Sequence, residues 1–490
     1  MAWIEFLDDI AEKFSDKTAL VEQESARHLS YRELKETVDA WAWTLSELGV
    51  SKGERVCFLK TNCLEHVTLF LACARLGALF VPMNFRLAPG ELLEITKRVA
   101  PKAFIGEGDC SLDLPKDFPY YPLESLKPQF DKGPFQTVET SEVDPLLMLF
   151  TSGTTGTPKG VLFHGKMLKS NQEATCENWG LKSEDRTLVE TPFFHTGGYN
   201  VLCLPLMSIG GTSYLAAKFD LDNIYKTIEE EKLSVYFAVP TMFQMLAEDQ
   251  RFQDYSFESM RFFISGGAYC PKELMEEYQK KGLMFKQGFG LTEVGPNCFL
   301  LKEEDSIRKV GSIGKPMPHS EVLLLTAEGK VAQGEEVGEL LIRGPHVCGG
   351  YFAQPERFQD ATFDGYFKTG DLAKVDEEGF YFIVGRKKDM YISGGENVYP
   401  AEVEKKIRSH EAVHEAVIVP VSDEKWGEVG YCFLRSDREL DVVEMREFLN
   451  PLLSRYKHPH YIQCIKEFPI LASGKIDRKA LQAKAAELSH

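Results

Sequence analysis

The chain has 490 residues, 43% of them apolar and 27% charged, with a formal net charge of −18. That length exceeds what one hydrophobic core supports and predicts a large multi-layer body with at least one further domain. The negative balance excludes nucleic acid and anionic membrane as partners, since its field would repel both, so an anionic substrate must meet local positive charge. Eleven cysteines occur singly from Cys57 to Cys464 without a CxxC pair; this usage predicts reduced thiols rather than a disulfide framework or a zinc knuckle. The N-terminal stretch lacks the basic start and apolar core of a signal peptide, and the longest apolar run, Val67 to Met83, is broken by Arg75. No integral membrane segment and a cytoplasmic location are therefore expected.

Ser30 and Glu33 have capping-box spacing ahead of an amphipathic run to Leu48, which predicts a helix closed by Gly49. RVCFLK (Arg55 to Lys60) reads as a strand, Leu64 to Leu76 as a buried helix ended by Gly77, and ALFVPM as another strand. This alternation predicts a parallel α/β sheet. Ser111 to Asp144, rich in Pro, Asp and Lys, reads as a loose connection. The alternation resumes with VYFAVP, a helix from Thr241, MRFFISGG, a helix opening at Pro271, and LMFKQGFG. Loops at the carboxyl ends of such strands are expected to converge on one crevice. From Lys309 to Gly385, short runs with turn signals predict an antiparallel or barrel-like subdomain. Beyond it a small α+β pattern begins: a helix at Pro400, strands AVIVPV and YCFLR, and helices from about Asp441 and Asp477.

The apolar run LLMLF (Leu146 to Phe150) empties into TSGTTGTPKG, Thr151 to Gly160. Glycines let backbone N–H groups turn toward an anion, hydroxyls add donors, and a lysine adds a mobile positive charge. It is not a Walker A loop, because Lys159 stands between Pro158 and Gly160 and no hydroxyl follows it. SGGA (Ser265 to Ala268) and QGFGLTE (Gln287 to Glu293) each follow a predicted strand; glycines there allow a flat ring close to the backbone, Phe289 offers a stacking face and Glu293 a hard oxygen suited to magnesium. Asp371 in KTGD suits neighbouring ribose hydroxyls, and Arg386 in GRKKD adds donors.

The loop at Thr151 resembles the AMP-binding signature of the adenylate-forming superfamily, which includes acyl-CoA synthetases, peptide-synthetase adenylation domains and beetle luciferases, and the other motifs follow in that family's order to Arg478. The resemblance implies an ATP-dependent acyl-CoA synthetase that converts a fatty or aromatic monocarboxylate to its CoA thioester through an acyl-AMP, with ATP, Mg2+ and CoA as co-substrates and cofactor. It implies that Thr151, Ser152, Gly153, Thr154, Thr155, Gly156 and Lys159 cradle phosphate; that Gly266 and Gly267 lie against adenine; and that Gln287, Gly288, Phe289 and Gly290 stack it. Thr292 would touch phosphate and Glu293 would anchor the metal. Phenylalanine at 289 stands where tyrosine is commoner, which keeps the stacking face. Asp371 and Arg386 match the ribose-binding pair. His195, in PFFHTGG, matches an aromatic gate between acyl pocket and thiol tunnel. Gly394 and Gly395, in SGGENVYPAEVE, match the pantetheine channel, and Trp426, in WGE, a tryptophan on the CoA adenine. Lys475, in LASGKIDR, matches the adenylation lysine.

The expected fold is α/β: a large N-terminal body of α/β sheets with a β-rich subdomain, residues 1–387, and a small mobile α+β domain, 388–490, pivoting at Lys388. A homodimer is compatible with it. No arginine or lysine lies in PFFHTGGYNVLCLPL or SGGAYC to pair with a second carboxylate, hence the monocarboxylate. His410, Glu411 and His414 spell HExxH, but EAVIVPV begins at once, so the histidines would straddle a helix end and a strand start rather than share a helix face. Two alternatives are an enzyme loading an acyl-carrier protein, for which no carrier-like domain is attached, and a non-catalytic nucleotide-binding regulator, which would be expected to lack Lys475 or Glu293.

Overall fold

A computed structural model describes residues 2–109, 112, 114–115, 117–151, 158–268, 270–471 and 476–488. Contacts divide the chain into two compact units, Met1–Val322 with Ile342–Phe367, and Leu323–Leu341 with Lys368–His490.

The first unit contains a six-stranded sheet in the order Tyr120–Pro122, Ala103–Gly106, Arg55–Leu59, Leu79–Pro82, Pro145–Thr151, Lys159–His164. All neighbours are parallel except the last pair, an antiparallel hairpin. Ala103–Gly106 and Leu79–Pro82 are buried at every position, which is why these strands are continuously apolar instead of alternating. The apolar stretch Leu64–Leu76 is a helix because it runs for 13 residues and ends at Gly77 in a left-handed cap, φ +66°. Arg75, which breaks the apolar run, is 2% exposed; its guanidinium pairs with Asp8 at 2.6 Å and Asp39 at 3.2 Å, so the buried charge is compensated. The edge strand Tyr120–Pro122 falls inside the predicted loose connection. Three residues ending in proline carry no periodicity, and such a segment is tolerated only at a sheet edge.

A second sheet runs Arg27–Ser30, Thr18–Glu22, Thr212–Leu215, Arg186–Val189, and a third, wholly parallel, runs Val235–Ala238, Phe262–Ser265, Phe285–Gln287. The predicted capping box is present: the Ser30 hydroxyl accepts from the Glu33 N–H, and the Glu33 carboxylate accepts from the Ser30 N–H, at the head of helix Tyr31–Glu47. Helices Pro240–Glu248 and Lys272–Lys280 follow strands of the third sheet as predicted. Phe243 joins these layers, meeting Tyr236, Phe263, Tyr278 and Phe285 edge-on with ring centroids 5.7, 5.9, 5.6 and 4.8 Å away. The carboxyl ends of this sheet lead directly into SGGA and QGFGLTE.

The second unit holds the sheet Glu396–Val398, Tyr391–Ser393, Gly427–Ser436, Val413–Asp423, with Tyr461–Cys464 parallel to Gly427–Ser436. Tyr366–Val375 and Tyr381–Arg386 pair antiparallel between Asp371 and Arg386. Helices Pro400–Ile407, Val442–Leu449 and Arg478–Leu488 complete this α+β unit. Asp441 accepts from the N–H groups of Val443 and Glu444 at 2.9 Å, and Asp477 from those of Lys479 and Ala480 at 3.1 Å, so both predicted helix starts are capped by aspartate. Among the described residues no helix is long and apolar enough to cross a membrane.

Candidate active site

Thr151 ends one strand of a hairpin and Lys159 begins the other, and the two are paired across it. The chain therefore turns back into an antiparallel strand after the loop, as Pro158 and Gly160 require, and does not enter a helix. Ser152, Gly153, Thr154, Thr155 and Gly156 lie outside the described residues. At the loop's base the Arg98 guanidinium donates to the Pro158 carbonyl at 2.6 Å and lies 5.2 Å from the Phe150 ring.

The strand Lys159–His164 carries a strap on its other side. Leu162 N–H donates to the Gly350 carbonyl, Gly349 N–H to the Leu162 carbonyl and Phe352 N–H to the Gly160 carbonyl, at 2.7–3.0 Å, which seats Tyr351 beside Lys159. The Lys159 ammonium donates to the Tyr351 hydroxyl at 3.3 Å and sits 4.6 Å over its ring; that hydroxyl donates in turn to Oε1 of Glu293 at 3.0 Å. Burial pulls the Lys159 pKa below its ordinary value; the Glu293 charge opposes this and Arg357 adds to it. Burial, then the Glu293 charge, raises that of Tyr351.

Glu293 stands in the loop after Phe285–Gln287, which doubles back on itself. Leu291 N–H donates to the Gly295 carbonyl at 3.1 Å and Cys298 N–H to that of Phe289 at 3.0 Å. A methyl group on Gly290 would lie 2.2 Å from the Gly295 oxygen, so only glycine fits. The strap holds this loop too: Cys348 N–H donates to the Glu293 carbonyl at 2.8 Å, and His346 Nδ1 lies 2.5 Å from the Val294 carbonyl oxygen. Gly288 N–H donates to the Ser265 carbonyl at 2.7 Å, which brings the loop against Gly266. Phe289 is half-buried and edge-on to Phe299 at 5.5 Å, and Thr292 is half-buried. The Gln287 amide oxygen is buried and has no hydrogen-bond partner among the described residues.

His195 is half-buried in the turn that follows the second sheet, its ring 4.5 Å from that of Phe194. Phe237 fills the space between this turn and the SGGA loop: methyl groups on Gly197 and Gly266 would fall 3.0 and 3.2 Å from its ring. A cavity of about 10 Å³, room for one water, is lined by Thr191, Gly197, Gly198, Leu202 and Phe237.

The second unit holds its own part of the set. Asp371 and Arg386 are register partners, with Nε 2.6 Å from Oδ1. Thr369 Oγ1 accepts from the Asp371 N–H at 3.1 Å and donates to the Leu340 carbonyl at 2.7 Å. Lys388 is exposed in the turn that follows. Gly394 and Gly395 are the two turn residues of a hairpin closed by Ser393 and Glu396; their φ values of +60° and +88° are those of a type I′ turn. Trp426 lies against Gly394: its carbonyl accepts from Gly394 N–H at 2.8 Å, and a methyl group on Gly394 would fall 2.7 Å from the indole. The indole is 38% exposed, with the Lys425 ammonium 5.3 Å from the ring. Lys475 lies outside the described residues.

The two histidines of HExxH are held apart. His410 lies 4.0 Å from Glu444, whereas His414 on strand Val413–Asp423 is 2.7 Å from Asp437. Among the described residues, Glu22, Cys63 and Glu65 place three ligand-type atoms within 4.8 Å of one another, but Arg27 binds both carboxylates at 2.8 and 2.7 Å and supplies the positive charge itself. Glu293 is half-exposed, and its carboxylate accepts from one hydroxyl, that of Tyr351. Sequence reasoning missed Tyr351, which sits in GGYF with no charged neighbour to mark it, and Arg98, which looks like an ordinary basic residue in the last turn of helix Pro89–Val99.

Residues 7–352 match the model of the AMP-binding enzyme family, and residues 402–475 match its C-terminal domain. The chain is 35% identical over 456 residues to a feruloyl-CoA synthase of Amycolatopsis, covering 91% of this chain and 92% of that protein. It is 33% identical over 490 residues to an indoleacetate–CoA ligase of Aromatoleum aromaticum, 96% of each being covered. Among solved structures it resembles the o-succinylbenzoate CoA synthetase of Bacillus subtilis in complex with its acyl-adenylate intermediate, with a TM-score of 0.87, 29% identity and 98% of each chain covered.

Proposed function

The chain belongs to the AMP-binding enzyme family, and from that premise we propose an ATP-dependent acid–thiol ligase that makes an acyl-CoA in two half-reactions. A carboxylate oxygen first attacks the α-phosphorus of ATP, and the bond to the bridging oxygen breaks, giving acyl-AMP and pyrophosphate. The CoA thiol then attacks the acyl carbon and releases AMP.

The observation that carries the reading is the contact chain Lys159–Tyr351–Glu293, which joins a phosphate-loop lysine to the carboxylate suited to the metal. Mg2+ would be held by Glu293 and would neutralise phosphate charge. Thr151 and Lys159 flank the cradle for the departing pyrophosphate, with Thr292 on phosphate. Gly266, Gly267, Gln287, Gly288, Phe289 and Gly290 take the adenine, the Gln287 amide oxygen being free to accept from its amine. Asp371 and Arg386 take the ribose. Lys475 holds carboxylate and phosphate oxygens together; His195 gates the acyl pocket; Gly394, packed on Trp426, and Gly395 line the thiol route. Catalysis in this reading is positioning plus charge stabilisation. The division at Lys388, a cytoplasmic location and compatibility with a homodimer belong to the same reading.

For the acid, Phe237 with Gly197 and Gly266 forms an apolar wall without lysine or arginine, which supports a monocarboxylate; the aryl-acid relatives favour an aromatic one over a fatty one. The test is pyrophosphate release over ferulate, indole-3-acetate, o-succinylbenzoate and octanoate, with and without CoA. Release with an aryl monocarboxylate, and thioester formation only with CoA, is the expected result. Turnover only with an acyl-carrier protein would replace this reading by a carrier-loading enzyme, and no turnover by a nucleotide-binding regulator.

A further inference from the structure

Asn62 follows the strand Arg55–Leu59, two residues before helix Leu64–Leu76, and is 3% exposed. Its side chain is committed to one stretch of backbone lying 127 to 131 residues further along the chain. Nδ2 donates to the Val189 carbonyl at 3.4 Å and to the Thr191 carbonyl at 3.0 Å, and Oδ1 accepts from the Phe193 N–H at 3.1 Å. Two acceptors and one donor permit a single orientation of the amide. Val189 is the last residue of strand Arg186–Val189, and Thr191 and Phe193 lie in the bend and turn that follow it. The amide thus ties the end of that strand to the bend and turn that follow it.

What it holds is the entry to the turn bearing His195. His195 N–H donates to the Pro192 carbonyl at 3.0 Å, and Gly198 N–H to the His195 carbonyl at 3.1 Å. Helix Leu64–Leu76 braces the same stretch: the Phe193 ring stacks on His66 at 5.2 Å and meets Tyr199 at 4.4 Å, and the Tyr199 hydroxyl donates to the His66 carbonyl at 3.0 Å. Thr191, whose carbonyl Asn62 binds, lines the cavity beside Phe237.

We infer that Asn62 is a positioning residue for the acid and thiol steps, fixing the backbone at 189–193 and through it Thr191 and His195. The inference rests on the reading of His195 as the gate. An aspartate at 62 keeps the size and the acceptor but sets a carboxylate against two carbonyl oxygens; a serine keeps one donor and one acceptor on a shorter arm. With the acid of highest turnover in the panel above, Asn62→Asp raises the KM for acid and slows thioester formation from supplied acyl-AMP, each on the order of tenfold or more, because small misplacements of reacting groups are costly. The KM for ATP stays within about twofold, since binding lost at one site leaves another untouched. Asn62→Ser gives the same pattern in weaker form and replaces the aspartate variant if that one does not fold. Proportional loss with all three substrates together with a lower melting temperature, or no kinetic change in either variant, overturns the inference. His195→Ala separates it from its premise. If that variant leaves acid KM and thioester formation unchanged, the gate reading fails; if it alters them and the Asn62 variants do not, the role of Asn62 alone fails.

Discussion

Tyr351 carries one hydroxyl between an ammonium and a carboxylate, and the consequence is best tested by deleting that oxygen alone. Tyr351→Phe keeps the ring beneath Lys159 and its edge contact with Phe358 at 5.5 Å. Removing a partner that orients a metal-binding carboxylate typically costs about 10- to 100-fold in metal affinity or activity, so kcat/KM for MgATP is expected to fall about tenfold or more. The Mg2+ concentration for half-maximal pyrophosphate release should rise while melting temperature changes little. An unchanged magnesium dependence would count against Tyr351 orienting Glu293. At this scale the sequence pointed to Lys159 and Glu293 separately through their motifs. Their common neighbour could not be found there, because Tyr351 lies 192 residues from one and 58 from the other and touches them only across a strap.

The strands that frame the turn bearing His195 are tied by a buried acid. Glu190, 5% exposed at the end of strand Arg186–Val189, accepts from the Tyr236 hydroxyl of strand Val235–Ala238 at 2.5 Å and from the Asp220 N–H at 3.3 Å. Burial pushes its pKa up to about 8 against the two hydrogen bonds, with Asp220 and Glu24 adding to the rise. The folded pKa exceeds the ordinary value of 4.5, so its contribution to stability is full below pH 4.5 and is lost as pH rises through about 8. Glu190→Gln should therefore flatten the decline in melting temperature between those limits, measured by thermal unfolding across pH; parallel curves for the two proteins would refute it. Elements were the most legible level of the sequence. The capping box at Ser30, the glycine stop at Gly77 and the aspartate caps at 441 and 477 are local signals and needed no partner. The edge strand Tyr120–Pro122 had no such signal, since it is a strand only because Ala103–Gly106 lies beside it.

For the molecule as a whole, the proposed adenine, acid and metal residues that the structure describes fall in the first unit, and the proposed ribose and thiol residues in the second. Two half-reactions sharing one site must exclude water in the first and admit a thiol in the second, which a domain movement would achieve. Lys475→Ala is accordingly expected to abolish acyl-AMP formation and leave thioester formation from supplied acyl-AMP largely intact, and Gly395→Leu to do the reverse by blocking the proposed thiol route. Single-turnover assays of each half-reaction check both, and equal loss of the two steps in either variant would speak against a moving domain.

The sequence by itself determined the family and the α/β class and proposed most of the candidate site residues, because phosphate loops, caps and glycine turns are written in a few consecutive residues. Only the tertiary structure decided which of those residues meet and what holds them: Gly394 with Trp426, Lys159 with Glu293 through Tyr351, and Asn62 with the backbone at 189–193. Those contacts join side chains to groups tens to hundreds of positions away, and a hydrogen bond of that kind leaves no period or spacing in the chain.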